Sequence, residues 1–261
     1  MSKNNKHSAE PNGSPHYLIP ESLYDYNHPQ VKKFTRIFRE RAEKEEVLSN
    51  INTTIAQCQS RAAAETMATV WYEFSCHTPR FLALAVSQTR DPERQHHLIQ
   101  IAFDELGGHN KERIHSLLFL QAVNQIGIQL LPRLPLFSIR NVLATLDKGL
   151  VEAKNEQAII GLLMSFEIVA QENIEMLFEC LSFDDAARET LAASLFFKIH
   201  RQDETEHIRH SVANFLRFCR TESHRADFLE GFDRGIEFWG RFWDQSARLI
   251  NAATNPRAKA S

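Results

Sequence analysis

The sequence is short of glycine and proline. Nine of each in 261 residues come to about 7% of the chain, against an average usage nearer 12%. A β-sandwich or barrel turns roughly every ten residues and would need more of both. The shortage therefore argues against those architectures and for long helices. Cysteine is scarce as well. Cys58, Cys76, Cys180 and Cys219 stand far apart, with no C-x-x-C pair and no disulfide framework, so reduced thiols in a cytoplasmic setting are expected. Basic charge is not in excess: 30 Lys and Arg against 33 Asp and Glu give a net charge of −3. Nothing is left over to neutralise a phosphate backbone, which argues against nucleic acid as a partner. Long apolar runs are missing too. The longest, residues 158–166, is too short to span a bilayer and is followed by Glu167, so no membrane span is expected. Residues 1–16 are polar, without the apolar stretch of a signal peptide.

What is present is an ordinary globular composition, 43% hydrophobic and 24% charged, with an unusual 12 histidines. Apolar positions recur at three and four rather than at two, so strands are not expected. Residues 1–16 read as a disordered tail, 17–252 as one all-α domain of about eight helices, and 253–261 as a polar tail. The predicted helices cover roughly 29–48, 55–76, a short one opened by Thr78-Pro79, and 91–106 with Asp91 as cap before Pro92. They continue at 110–124, from Ser138 to 152, at 156–181, from Asp184 or Asp185 to 220, and from Ser223 to 252. Residues 127–137, with Pro132 and Pro135, read as a loop.

Three places carry the chemistry. In the run from Leu195 to His207, residues His200, Glu204 and His207 are spaced i, i+4, i+7 and fall within an arc of about 60°. Phe196, Phe197, Phe215 and Phe218 lie in or beside that arc, which should face inward. A buried, unpaired carboxylate is costly, and a divalent metal offsets that cost directly. Asp203 lies near the edge of the arc and is a rival to Glu204. The bland alternative is a solvated polar stretch. Second, Glu167 is surrounded by apolar residues on every side of its helix. It is either a ligand or a carboxylate paired at a helix contact. Third, Glu105 ends one helix and His115 begins the next, across Gly107-Gly108, where glycine lets the chain break while both side chains turn inward. Glu112 and Glu73 are rival carboxylates there, and His109 is expected at the solvent corner.

Carboxylates and imidazoles without thiolate suit iron better than structural zinc. A ferritin-like bundle is one way to arrange them. Glu112-x-x-His115 and Glu204-x-x-His207 fit its two motifs, with Glu73 or Glu105 and Glu167 added. That pattern leaves His200 without a role.

The order Asp91-Pro92-Glu93-Arg94, Asp104-Glu105-Leu106-Gly107-Gly108, His115, a buried Glu and then His-x3-acid-x2-His resembles the haem-oxygenase-like iron oxidases. These include CADD-like proteins and the pyrroloquinoline-quinone synthase and thiaminase II (TenA-like) superfamily. The resemblance covers residues 60–220. It implies a haem-oxygenase-like helical bundle, a non-haem di-iron site that is filled in full or in part, and O2-dependent chemistry on an amino-acid or fatty-acid-like substrate. Carried over by position, it implies Glu105, His115, Glu167, His200, Glu204 and His207 as the metal ligands. Glu204 departs from the family's usual Asp, and His109 stands where the family's corner usually keeps a glycine. These departures leave the ligand set open between Asp203 and Glu204, and among Glu105, Glu112 and Glu73.

The leading expectation is thus an oxidoreductase acting on a small molecule and O2 in a Phe-lined cavity. Two readings compete with it. One is a metal-free, thiaminase II-like hydrolase with Cys76 as nucleophile. The other is a non-enzymatic, partner-binding member of the same fold. The aromatics of the final segment, Phe228, Phe232, Phe238, Trp239, Phe242 and Trp243, are expected either to close the core or to form a homodimer contact.

Overall fold

The computed structural model describes residues 28–44, 54, 56–58, 60–202 and 204–255. The expected N-terminal tail, the aromatic segment 17–27 and most of the C-terminal tail lie outside the described residues. Eleven α-helices form among the described residues: α1 (Pro29–Lys44), α2 (Arg61–Gln88), α3 (Pro92–Glu105), α4 (His115–Gln125), α5 (Phe137–Val151), α6 (Glu156–Ile168), α7 (Ala170–Leu181), α8 (Asp185–Ala193), α9 (Leu195–Gln202), α10 (Glu204–Phe218) and α11 (Glu222–Thr254). One 3-10 turn, Lys111–Arg113, precedes α4. No described residue is in a strand, and no helix among them is long and apolar enough to cross a membrane.

The helix starts follow their caps. Asp91 accepts from the backbone N–H of Glu93 and Arg94 ahead of Pro92. Asn155, Asp184 and Thr221 cap α6, α8 and α11 through Ala158, Ala187 and His224. Each supplies an oxygen to a helix N–H that would otherwise lack a partner. Ser138 does not cap its helix. Helix α5 begins one residue earlier and has no side-chain cap.

The count of eleven rather than about eight comes from one merger and three divisions, the last of them between Gln202 and Glu204. The expected break at Thr78-Pro79 is absent, and α2 runs through Pro79. Proline removes one helical hydrogen bond, yet Phe74, Phe81, Leu82 and Ala85 are buried on both sides of it and hold the helix together. Segment 156–181 is divided at Val169, whose ψ of 11° leaves the helical range. Segment 185–220 is divided at Ser194, which is extended (ψ 149°). There the Ser194 Oγ accepts from the Phe197 N–H at 3.4 Å, so one serine ends α8 and starts α9.

Helices α6 and α11 form the closest pair. A Cβ added at Gly161 would lie 1.9 Å from the Phe228 carbonyl oxygen, and one added at Gly231 would lie 1.9 Å from that of Ala158. Backbone touches backbone at this crossing, which only glycine permits. The aromatics of α11 are all buried. They close the core, so they offer no surface for a dimer. Trp71 from α2 stands beside Trp239 and Trp243 at ring distances of 6.4 and 5.9 Å. Phe38, Phe215, Phe228 and Phe232 pack around one another at the other end of α11.

Candidate metal centre

Between α2, α3, α4, α6, α7, α9, α10 and α11 lies a cavity of about 210 Å³. Its wall is apolar for most of its extent, with Phe74, Phe81, Phe166, Phe196, Ile159 and Leu163 among the lining residues. The expected Phe-lined cavity is therefore present, but with other phenylalanines than foreseen. Of the four proposed near the ligand arc, Phe196 lines it, whereas Phe197 and Phe215 belong to the core. Phe218 lies under the Arg94 guanidinium at 3.7 Å.

Four of the six expected ligands line this cavity: Glu105, His115, Glu167 and His200. The corner after α3 brings the first two together. Gly107 and Gly108 have φ of +85° and +60°, and a Cβ at Gly107 would fall 2.4 Å from the Asn110 carbonyl oxygen. The left-handed corner folds the start of α4 back onto the end of α3, which sets His115 Nδ1 3.3 Å from Glu105 Oε1. Their alignment is not that of a hydrogen bond, and His115 Nδ1 is buried with no hydrogen-bond partner. From α9, His200 meets His115 edge to face with ring centroids 4.8 Å apart. From α6, Glu167 reaches the same wall in the last turn before Val169.

His200 shows how a ring can be prepared for a metal. Its Nδ1 lies 2.8 Å from the carbonyl oxygen of Phe196. A carbonyl only accepts, so Nδ1 carries the hydrogen and the lone pair sits on Nε2. Metal-bound imidazoles are commonly held in this way. The metal-ligating side chains that line the cavity are two carboxylates (Glu105, Glu167) and three imidazoles (His97, His115, His200), without thiolate. That set suits a divalent iron ion, and the buried, unpartnered His115 Nδ1 is the kind of donor such an ion would engage.

The side chains of Glu204 and His207, and Asp203 as a whole, lie outside the described residues. Among the described residues, no three or more His, Cys, Asp or Glu side chains converge closely enough to hold a metal ion by themselves.

The reserve carboxylates are placed elsewhere. Glu73 pairs with Arg140 at 2.6 Å and does not line the cavity. Glu112 is exposed in the 3-10 turn, which removes one Glu-x-x-His motif of the ferritin-like arrangement. His109 is exposed, as expected for the corner. Cys76 is exposed on α2 and does not line the cavity. It shares a hydrogen bond with Tyr72, which with burial raises that phenol above its ordinary range. Cys219 is the opposite case, a buried thiol pushed up to about 12 by desolvation.

The sequence reading assigned no site role to other polar residues that line the cavity, among them Arg94, His97, Asn173, Ser211, Asn214 and the indole of Trp239. Arg94 pairs with Glu156, and burial pulls its guanidinium below its ordinary value against the pull of Glu156 and Asp91. Asn173 had no distinct local signal, because it stands beside Gln171, Glu172 and Glu175.

A family model described as iron-containing redox enzyme matches residues 65–240. Among solved structures, a CADD-like protein of unknown function from Nostoc punctiforme is similar at 16% identity. The match has a TM-score of 0.69 and covers 85% of this chain and 96% of that one. A domain of unknown function with a heme oxygenase-like fold from Shewanella denitrificans gives 13% identity and a TM-score of 0.58, over 89% and 95% of the two chains. A TenA homologue from Pyrococcus furiosus gives 16% and 0.55, over 80% and 99%. Such identities carry the fold alone, which is haem-oxygenase-like. None of the curated proteins matches.

Proposed function

The chain belongs to the family of iron-containing redox enzymes, and from that premise we propose that it is an O2-using oxidoreductase with two non-haem iron ions. Its ligands in this reading are Glu105, His115, Glu167, His200, Glu204 and His207, and its substrate is a small organic molecule, amino-acid or fatty-acid-like, held in the cavity. The observation that carries the reading is that Glu105, His115, Glu167 and His200 line one cavity, with His115 beside both Glu105 and His200 and the His200 tautomer fixed by the Phe196 carbonyl.

Bound iron would supply the electron transfer to O2 that no side chain can perform. The chain's own residues do the rest. Glu105 and His115 are held opposite each other by the glycine corner. Phe74, Phe81, Phe166 and Phe196 keep water from the substrate and give it an apolar bed. The cysteine-dependent hydrolase reading is weakened, because Cys76 is exposed and is not among the residues that line this cavity.

The test is anaerobic loading with Fe(II), removal of loose metal, and iron analysis, followed by exposure to O2. The expected result is close to two irons per chain and an absorbance change with O2. His115→Ala should hold less than half of the iron. A wild-type protein that retains no iron, or one whose iron content His115→Ala and His200→Ala leave unchanged, would refute the proposal.

A further inference from the structure

Helices α3 and α6 flank the cavity with the same order of side chains. In α3, Arg94 precedes Glu105 by eleven positions. That is about three turns and about 16 Å along the axis, so the two residues stand on one face. In α6, Glu156 precedes Glu167 by the same eleven positions. Arg94 and Glu156 meet at one end, with Nη1 2.5 Å from a Glu156 oxygen, and the candidate ligands Glu105 and Glu167 stand at the other. Between the ends, Leu98 and Ile101 of α3 and Ile160 and Leu163 of α6 line the cavity. In α10, Ser211 and Asn214 line it too. Phe218, one turn after Asn214, carries the Arg94 guanidinium over its ring at 3.7 Å. The cavity thus joins a candidate metal site to a cation through an apolar stretch.

Arg94 holds less than it is able to hold. Its Nε and Nη1 are buried and neither makes a hydrogen bond, so the contact with Glu156 is one of charge alone. Glu156 does not line the cavity, whereas Arg94 does, with 12% of its side chain accessible. Nη2 is the guanidinium nitrogen left for a ligand. Desolvation holds this guanidinium below its ordinary value in spite of Glu156 and Asp91, and the charge of Arg217 adds to that. Arg217 contacts the same Phe218 ring at 4.8 Å and is itself paired with Glu93. Among the described residues that line the cavity, Arg94 is the single Arg or Lys. Of the three imidazoles, His115 and His200 belong to the candidate metal site, and His97 lies one turn from Arg94 in α3.

We infer that Arg94 anchors the carboxylate head of a monocarboxylate substrate whose apolar stem lies along α3 and α6 toward the metal site. A desolvated guanidinium gains most from an anion that also accepts hydrogen bonds. An ammonium head would be repelled there, and a neutral head would leave the charge uncompensated. The inference rests on the proposed function in taking the cavity's occupant to be the substrate, and it gives that substrate a direction. The head stands about three helical turns from the ligands, so the reacting carbon is on the far part of the stem and is not the carboxyl carbon. At about 30 Å³ for each liquid-water-sized group, the 210 Å³ cavity takes roughly seven such groups, the bulk of an octanoate tail.

Trp71 and Trp239 line the cavity and report its filling. The full chain, metal-free and loaded with Fe(II) without oxygen, is titrated with octanoate, octanamide and octylammonium while tryptophan emission is followed. Octanoate should bind tightest, and should bind the metal-free chain as well as the loaded one. Arg94→Gln should weaken octanoate about ten-fold or more, the effect of a charge-assisted hydrogen bond, and leave octanamide nearly unchanged. Because that variant strips Glu156 of its cation, Arg94→Gln is also combined with Glu156→Gln, which removes both charges together. The double variant should lose the preference for octanoate over octanamide in the same way. Thermal melts check that both variants are folded.

Tighter binding of octanamide or octylammonium than of octanoate, no response to octanoate, or a preference for octanoate that survives in the folded double variant would each overturn the inference. So would octanoate binding that needs Fe(II), which would put the head at the metal. An equal loss for all three probes in the variants would mean that Arg94 serves the fold alone, and would overturn it as well. The decisive titrations need no iron, so iron content measured on the same preparations separates the two proposals. Iron without Arg94-dependent octanoate binding removes the anchor alone, and such binding in a chain that retains no iron removes the redox reading alone.

Discussion

Asp227 shows how a charged side chain ties two distant segments. It lies in the first turns of α11 and accepts from Lys154 Nζ at 2.7 Å and from Asn155 Nδ2 at 2.6 Å. Asn155 in turn caps α6 through the Ala158 N–H. The bonds from Lys154 and Asn155 hold the Asp227 carboxyl below its ordinary range. A carboxyl with a lowered folded-state pKa stabilises the fold above its unfolded value, near pH 4. That stabilisation disappears as pH falls through the lowered value. Asp227→Asn should therefore unfold at lower urea than the wild type at pH 7, and the gap should narrow as pH falls below about 4. A gap of constant size from pH 7 to pH 3 would show that the charge contributes nothing.

The residue scale also shows what the sequence could say about the site. Glu105, His115, Glu167 and His200 were legible because each is a polar residue at an expected inward position, and all four line the cavity. Glu73 has the same local appearance, in Trp71-Tyr72-Glu73-Phe74, yet it belongs to Arg140. An ion pair that spans 67 positions leaves no mark in either local pattern.

At the scale of the element, helix starts were legible where a capping side chain and the N–H that donates to it lie within three residues, as at Asp91 and Asp184. Helix interruptions were not. Pro79 fails to break α2 because burial on both sides outweighs one lost hydrogen bond, and Ser194 breaks its segment although serine is ordinary within helices. The α6–α11 crossing yields the prediction that belongs to this scale. Gly161→Ala and Gly231→Ala would each drive a methyl group into a facing carbonyl and should destabilise by about 1–3 kcal/mol or more, as overpacked cores do. Gly149, in α5, is the control, because an added Cβ there meets only the Leu162 Cδ1 at 3.4 Å. Gly149→Ala should stabilise by about 0.5–1 kcal/mol through helix propensity. Urea denaturation of the three variants checks both signs. Equal effects at positions 149, 161 and 231 would mean that the crossing is not tight.

At the scale of the whole molecule, the proposed ligands come from segments far apart in the chain. Glu105 and His115 flank one corner, Glu167 ends α6 and His200 lies in α9. An ion engaging all of them binds the folded chain and not the unfolded one, so its affinity adds to stability by mass action. At a free concentration about 100-fold above its dissociation constant, the gain is about 2.7 kcal/mol. For a domain of this size that corresponds to a rise in Tm of roughly 5–10 °C. Fe(II) added without oxygen should therefore raise Tm in the wild type. The rise should shrink sharply in His115→Ala and His200→Ala, whose donors come from different helices. Each variant is compared with its own metal-free melt, so a general loss of stability cannot mimic the effect. A rise that survives in both variants would place the bound ion elsewhere, and no rise at all would mean that the four side chains meet for another purpose. The size of the response also distinguishes one ion from two. A shift that saturates with a single equivalent of Fe(II) fits one filled position, and one that grows to two equivalents fits the pair.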